Sequence, residues 1–227
     1  IPMVSTLGEL REARGELDPA VEAVVGATGA TSVGTGAPRA SLRTGATRMS
    51  DESIYQATDM LVALMEQRFG AEDPRLIDAL STVVLSEKYL HNLEQARKSA
   101  ERMVAIAQKT FGGKHEKTAL AYETLATVLY KQEAFAAALT QFEQSLPIFE
   151  KAKDSEHIAE NLIGSANCLR ELGKPGDALP LLDRALNLLK SEVDNALLIP
   201  EGQFALARTL WALGKRKQQP RALMAAE

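Results

Sequence analysis

Two segments, VALMEQRFGAEDP beginning at Val62 and VAIAQKTFGGKHE beginning at Val104, align without a gap 42 residues apart. That period constrains the chain more than its composition does. It is the length of a pair of helices with their turns. A chain that repeats such a pair buries its apolar faces by stacking copies on one another instead of gathering them around one centre. Each segment ends a helical stretch with Phe-Gly, so Gly70 and Gly112 are expected to be left-handed helix C-caps.

The pair itself is clearest from Thr118 to Lys151, TALAYETLATVLYKQEAFAAALTQFEQSLPIFEK. Leu120, Leu125, Val128 and Leu129 share one side of a first helix, and Ala126 leaves room for a neighbour. After a turn near Gln132 to Ala134, a second helix places Phe135, Ala138, Leu139, Phe142, Ser145, Leu146 and Phe149 on one face. Pro147 removes the backbone bond to the Glu143 carbonyl, at about 3 kcal/mol, and predicts a bend there.

Small residues and turn residues recur in register with this unit. Gly15, Glu133, Gly173 and Gly214 stand at the turn inside each pair, and Ala20, Ala96, Ala138 and Ala178 at the close contact of the second helix. In this combination the chain resembles the tetratricopeptide repeat family. The 42-residue period and the Gly-x-x-(Asp/His)-Pro-like loop after each Phe-Gly resemble its kinesin-light-chain subtype, with His115-Glu116 departing from the usual His-Pro. The run FALARTLWALGKRKQQPRAL resembles the tetratricopeptide regions that end bacterial serine/threonine kinases and related regulators. The resemblance implies an all-α chain wound as a right-handed α-α superhelix, with first helices lining a concave groove.

Three regions are expected: a degenerate repeat over residues 1–25, a linker over 26–50, and an array of about four repeats over 51–227. Gly26 to Gly45 is too rich in Gly, Thr and Ser to hold a helix by propensity, and reads as a flexible loop or a degraded first helix, with a solvated tether the plainer role. Arg39, Arg43 and Arg48 beside Ser41, Thr44 and Ser50 also suit phosphorylation or docking on an acidic partner. Inside the array a strong helix over 51–69 turns Ile54, Ala57, Leu61, Leu64 and Met65 inward. Asp177 is expected to cap the helix containing Pro180, and a short remnant runs from Pro220 to Ala226. A start at Ile1 reads as part of something larger.

Composition narrows the function classes. A formal charge of −4 and a pI near 5.6 disfavour a nucleic-acid surface, which needs a dense basic patch. The single Cys168 excludes an intramolecular disulfide and points to a reducing, cytoplasmic compartment. No apolar run reaches the roughly 18 residues of a membrane span. His91, His115 and His157 fall at turns or helix starts without clustered partners, and are expected on the surface. Cys168 has apolar neighbours and reads as a buried structural thiol. No nucleophile-base pair, metal cage or nucleotide loop emerges, so neither enzyme activity nor a cofactor is expected.

What remains is the surface made by stacking. Aligned repeats give one ladder of Lys88, Tyr130, Arg170 and Trp211 and a second of Leu85, Thr127, Asn167 and Arg208, with Glu123, Lys131 and Phe204 nearby. Aromatic rings among long donors suit an extended peptide. The expectation is a non-catalytic scaffold that holds a protein or peptide through Lys88, Thr127, Tyr130, Lys131, Asn167, Arg170, Arg208 and Trp211. Two other readings stand beside it: a regulatory or docking arm of a larger signalling protein, and self-assembly as a homodimer through terminal repeats.

Overall fold

The computed structural model describes residues 51–190 and 198–214. Among them are eight α-helices and no strand: α1 Asp51–Phe69, α2 Leu76–Tyr89, α3 Leu93–Phe111, α4 Glu116–Lys131, α5 Phe135–Ala152, α6 Ser155–Glu171, α7 Pro175–Lys190 and α8 Leu198–Ala212. The expected repeat at 1–25, the linker at 26–50 and the remnant at 220–226 lie outside the described residues. So does the side chain of Ile54.

Helix ends follow the repeat. Left-handed residues recur inside the pairs at His91, Glu133, Gly173 and Gly214, and between pairs at Gly70, Gly112 and Lys153. At three of the inner turns the next amide, from Asn92, Ala134 or Lys174, reaches back to the carbonyl of Glu87, Leu129 or Leu169 at 2.8, 2.9 and 2.8 Å. That bond closes each helix in a Schellman motif. Ala96, Ala138 and Ala178, the small residues that recur in the second helix of each pair, are fully buried.

Two sequence expectations change. α7 begins at Pro175, not beyond Asp177. Pro175 takes the first helical position, which its locked φ favours, and the Asp177 amide donates to the Lys174 carbonyl at 3.1 Å. Pro180 therefore lies one turn inside the helix. His157 is 8% exposed instead of lying on the surface. The assigned helix α5 runs without a break through Pro147.

The chain divides into two compact units, one up to Ile106 and one from Ala107. In the first, α1 packs on α2, burying Leu61, Met65, Leu76, Leu80 and Val84. Arg75 forks onto Asp73 at 2.8 and 3.0 Å and lies over the Phe69 ring at 3.4 Å. That bond holds the Asp73 carboxyl below its ordinary range.

Glu87 is 1% exposed in this unit. One carboxyl oxygen accepts from Ser99 Oγ at 3.3 Å, the other has no partner, and burial pushes its pKa from 4.5 up to about 7. Between those values the folded chain keeps a proton that the unfolded chain has released. The neutral carboxyl's contribution is thus complete below pH 4.5 and lost as pH rises through 7. Glu87→Gln is expected to unfold at higher urea than the parent at about pH 8 and to lose that advantage near pH 4.5. A midpoint difference that does not change with pH contradicts this.

In the second unit α4 packs on α5, α5 on α6, α6 on α7, and α7 on α8, while α4 and α8 also touch α6. The first helices α4, α6 and α8 thereby form one face, with α5 and α7 behind. Phe149, Leu162, Leu182 and Leu189 fill the interior.

Candidate functional site

The face made by α4, α6 and α8 carries two concavities. Three stripes at helical spacing build them: Glu123, Thr127 and Tyr130 on α4; Glu160, Gly164, Asn167 and Glu171 on α6; Glu201, Phe204, Arg208 and Trp211 on α8. The first cavity, about 350 Å³, is lined by Glu123, Thr127, Tyr130, Lys131, Glu160 and Asn167, with Phe142 reaching it from α5. The second, about 460 Å³, lies between Arg170 and Glu171 on one side and Phe204, Arg208 and Trp211 on the other.

Gly164 sets the depth of the first cavity. A Cβ there would stand 2.7 and 2.8 Å from two carbons of the Phe142 ring. Only a residue without a side chain lets that ring come forward.

Seven of the eight residues expected to contact a partner lie in the second unit, distributed between these cavities. Thr127, Tyr130, Lys131 and Asn167 line the first; Arg170, Arg208 and Trp211 line the second. Lys88 stands half-buried on α2 in the first unit. Arg170 is buried, 8% exposed, and its guanidinium donates to Asn167 at 2.6 Å, Glu171 at 2.7 Å and the Tyr130 hydroxyl at 3.5 Å. It braces the wall between the cavities. Arg208 donates to Glu171 at 3.3 Å and lies 5.9 Å from the Phe204 ring centre. Phe204 and Trp211 are 58% and 57% exposed, an unusual exposure for two large rings on one helical stripe.

Behind the first cavity is a polar cluster that sequence reading did not assemble. Asp154 caps α6, accepting from the His157 amide at 3.2 Å and pairing with His157 Nδ1 at 2.8 Å. The imidazole stacks on Phe149, ring centres 4.7 Å apart. Asn161 Nδ2 donates to the His157 carbonyl at 2.8 Å, and its Oδ1 accepts from Ser145. A ring nitrogen of His157 and carboxylate oxygens of Glu123 and Glu160 all lie within 4.8 Å of one another.

Burial pushes the Glu123 carboxyl well above its ordinary range, and hydrogen bonding and charge from Glu160, with the charge of Asp154, push the same way against a bond to Asn161. Burial also raises Glu160, Glu156 and Glu201 adding to it while the hydrogen bond to Glu123 and the charge of His157 oppose. Two carboxyls so placed favour a proton between them over two charges. Cys168 is fully buried, and burial pushes its thiol up to about 12, the inert state expected of it.

Comparison with known proteins agrees with this architecture. The family model described as "Tetratricopeptide repeat" matches residues 75–151. No curated protein matches the sequence. Among solved structures, the nearly identical TPR-like repeats of a Podosopora anserina kinesin light chain share 20% identity at a TM-score of 0.65, covering 78% of this chain and 85% of that one. BtubC (BKLC) from P. vanneervenii shares 14% identity at a TM-score of 0.61, covering 78% and 79%. Aspartyl phosphate phosphatase F from Bacillus subtilis shares 14% at 0.63, covering 75% of this chain and 44% of that one. Repeats of this kind generally mediate protein–protein interaction. Among the described residues no helix is long and apolar enough to cross a membrane. Residues 75–151 thus match the tetratricopeptide repeat family, and the described residues share the all-α superhelical repeat fold of the kinesin-light-chain-like repeat structures to which the chain is similar.

Proposed function

We propose that the chain is a non-catalytic scaffold that holds an extended segment of a partner protein across the α4–α6–α8 face. The observation that carries this is the pair of adjoining cavities, one acidic and one aromatic, on a single helical face. Glu123, Glu160 and Glu201 line the first against one lysine, Lys131. Phe204 and Trp211 offer apolar area beside the second. A segment that fits both carries an apolar or aromatic side chain a few residues from a lysine or arginine. Ring burial supplies most of the affinity, and the carboxylates select the charge.

Selection of a displayed random-peptide library on the full chain tests the proposal. Peptides pairing a basic with an apolar residue are expected to be enriched, and to bind at least about tenfold more weakly to a Phe204→Ala, Trp211→Ala double variant, about 1.4 kcal/mol. Binding indifferent to both substitutions contradicts it.

A further inference from the structure

We propose that Glu123, Glu160 and His157 form a binding site for one divalent first-row transition-metal ion, of the Zn²⁺ class, facing the first cavity. This goes beyond peptide binding and does not depend on it.

Acidic side chains in a cleft are common, and the two glutamates alone would not make a site. The second observation is the imidazole. His157 is 8% exposed; its Nδ1 is held by Asp154 at 2.8 Å, and its Nε2 is buried with no hydrogen-bond partner. A neutral ring whose Nδ1–H donates to a carboxylate carries a bare lone pair on Nε2. Such a lone pair buried without a donor is costly unless something takes it. A carboxylate that fixes the tautomer of a histidine is also the usual support of a metal-bound imidazole.

The donor set decides the class of ion. One imidazole with two carboxylates suits zinc, manganese, iron or cobalt better than magnesium or calcium, which prefer all-oxygen shells. Phe149, stacked on the ring, limits its rotation. Glu123 and Glu160 both line the cavity, so the remaining coordination positions fall to water or to a partner's side chain.

Zinc chloride titrated into the chelator-stripped full chain, in competition with a chromophoric chelator, tests the site. One Zn²⁺ per chain is expected. Glu123→Gln and Glu160→Gln each preserve side-chain shape and are expected to weaken binding at least about tenfold with the helical circular dichroism unchanged. Asp154→Asn keeps a good helix cap and is expected to weaken binding by about 10–100-fold through the loosened ring. His115→Asn, which removes an exposed imidazole, is expected to change nothing. In the parent protein, zinc is also expected to shift the ¹⁵N resonance of His157 Nε2, a readout that needs no substitution. Absence of saturable 1:1 binding, 1:1 binding indifferent to the glutamate substitutions, or an unmoved Nε2 resonance overturns the proposal.

Discussion

Phe149→Ala is expected to destabilise the second unit by about 3–5 kcal/mol, the usual cost of deleting a large aromatic from a packed interior. The ring is 1% exposed, sits on the last turns of α5, and is stacked at 16° on His157. Truncation leaves a void between α5 and α6 and removes the surface against which the imidazole is held. The loss is measured by urea unfolding followed through Trp211, the chain's only tryptophan, which lies in the same unit. With a slope of about 1–3 kcal/mol per molar urea the midpoint falls by about 1 M or more. A shift smaller than a few tenths molar would mean that α5 and α6 do not pack as described.

Gly164→Ala is expected to destabilise the chain although helix propensity favours it. Replacing an interior helical glycine by alanine gains about 1 kcal/mol when nothing stands in the way. Here the new methyl group meets the Phe142 ring at 2.7 and 2.8 Å, closer than carbon atoms pack, and Phe142 is itself buried. Overpacking of this kind costs about 1–3 kcal/mol, so a net loss results and the first cavity narrows. Phe142→Leu is expected to lose stability on its own yet to rescue Gly164→Ala, because the clash then has room to relax. The two substitutions should therefore be non-additive in a double-mutant cycle. Additive losses, or a more stable Gly164→Ala chain, count against the close approach.

These residues show which parts of the molecule are legible from the sequence. Gly70, Gly112, Gly173 and Gly214 are read as helix ends because their chemistry advertises the left-handed backbone they adopt. His91 and Lys153 end helices with the same backbone and no such signal; register alone identifies them. Pro180 is misplaced by a turn because two prolines compete to begin α7, and Pro175 is the one that does.

The face is legible wherever equivalent positions face the same way, as at Tyr130, Arg170 and Trp211. Contacts between positions that are not equivalent stay hidden. Glu123 lies one helical turn further along α4 than the counterpart of Glu160, so a ladder of matched positions never pairs them. The burial of His157 depends on Phe149 from the preceding helix and on a cap that also grips the ring. Periodicity within α6 carries neither. Glu87, buried in the first unit with one oxygen lacking a partner, escapes for a different reason: it stands in register with Leu129 and Leu169, and only its carboxyl suggests a solvent-facing position.

The central claim is that a partner segment lies across α4, α6 and α8. Backbone and side-chain NMR of the full chain, titrated with a library-selected peptide, tests it most directly. Perturbations concentrated at Thr127, Tyr130, Asn167, Phe204 and Trp211, with α5 and α7 silent apart from Phe142, are the expected result. Saturable binding whose perturbations fall on the outer surfaces of α5 and α7, leaving Tyr130 and Trp211 unmoved, contradicts it.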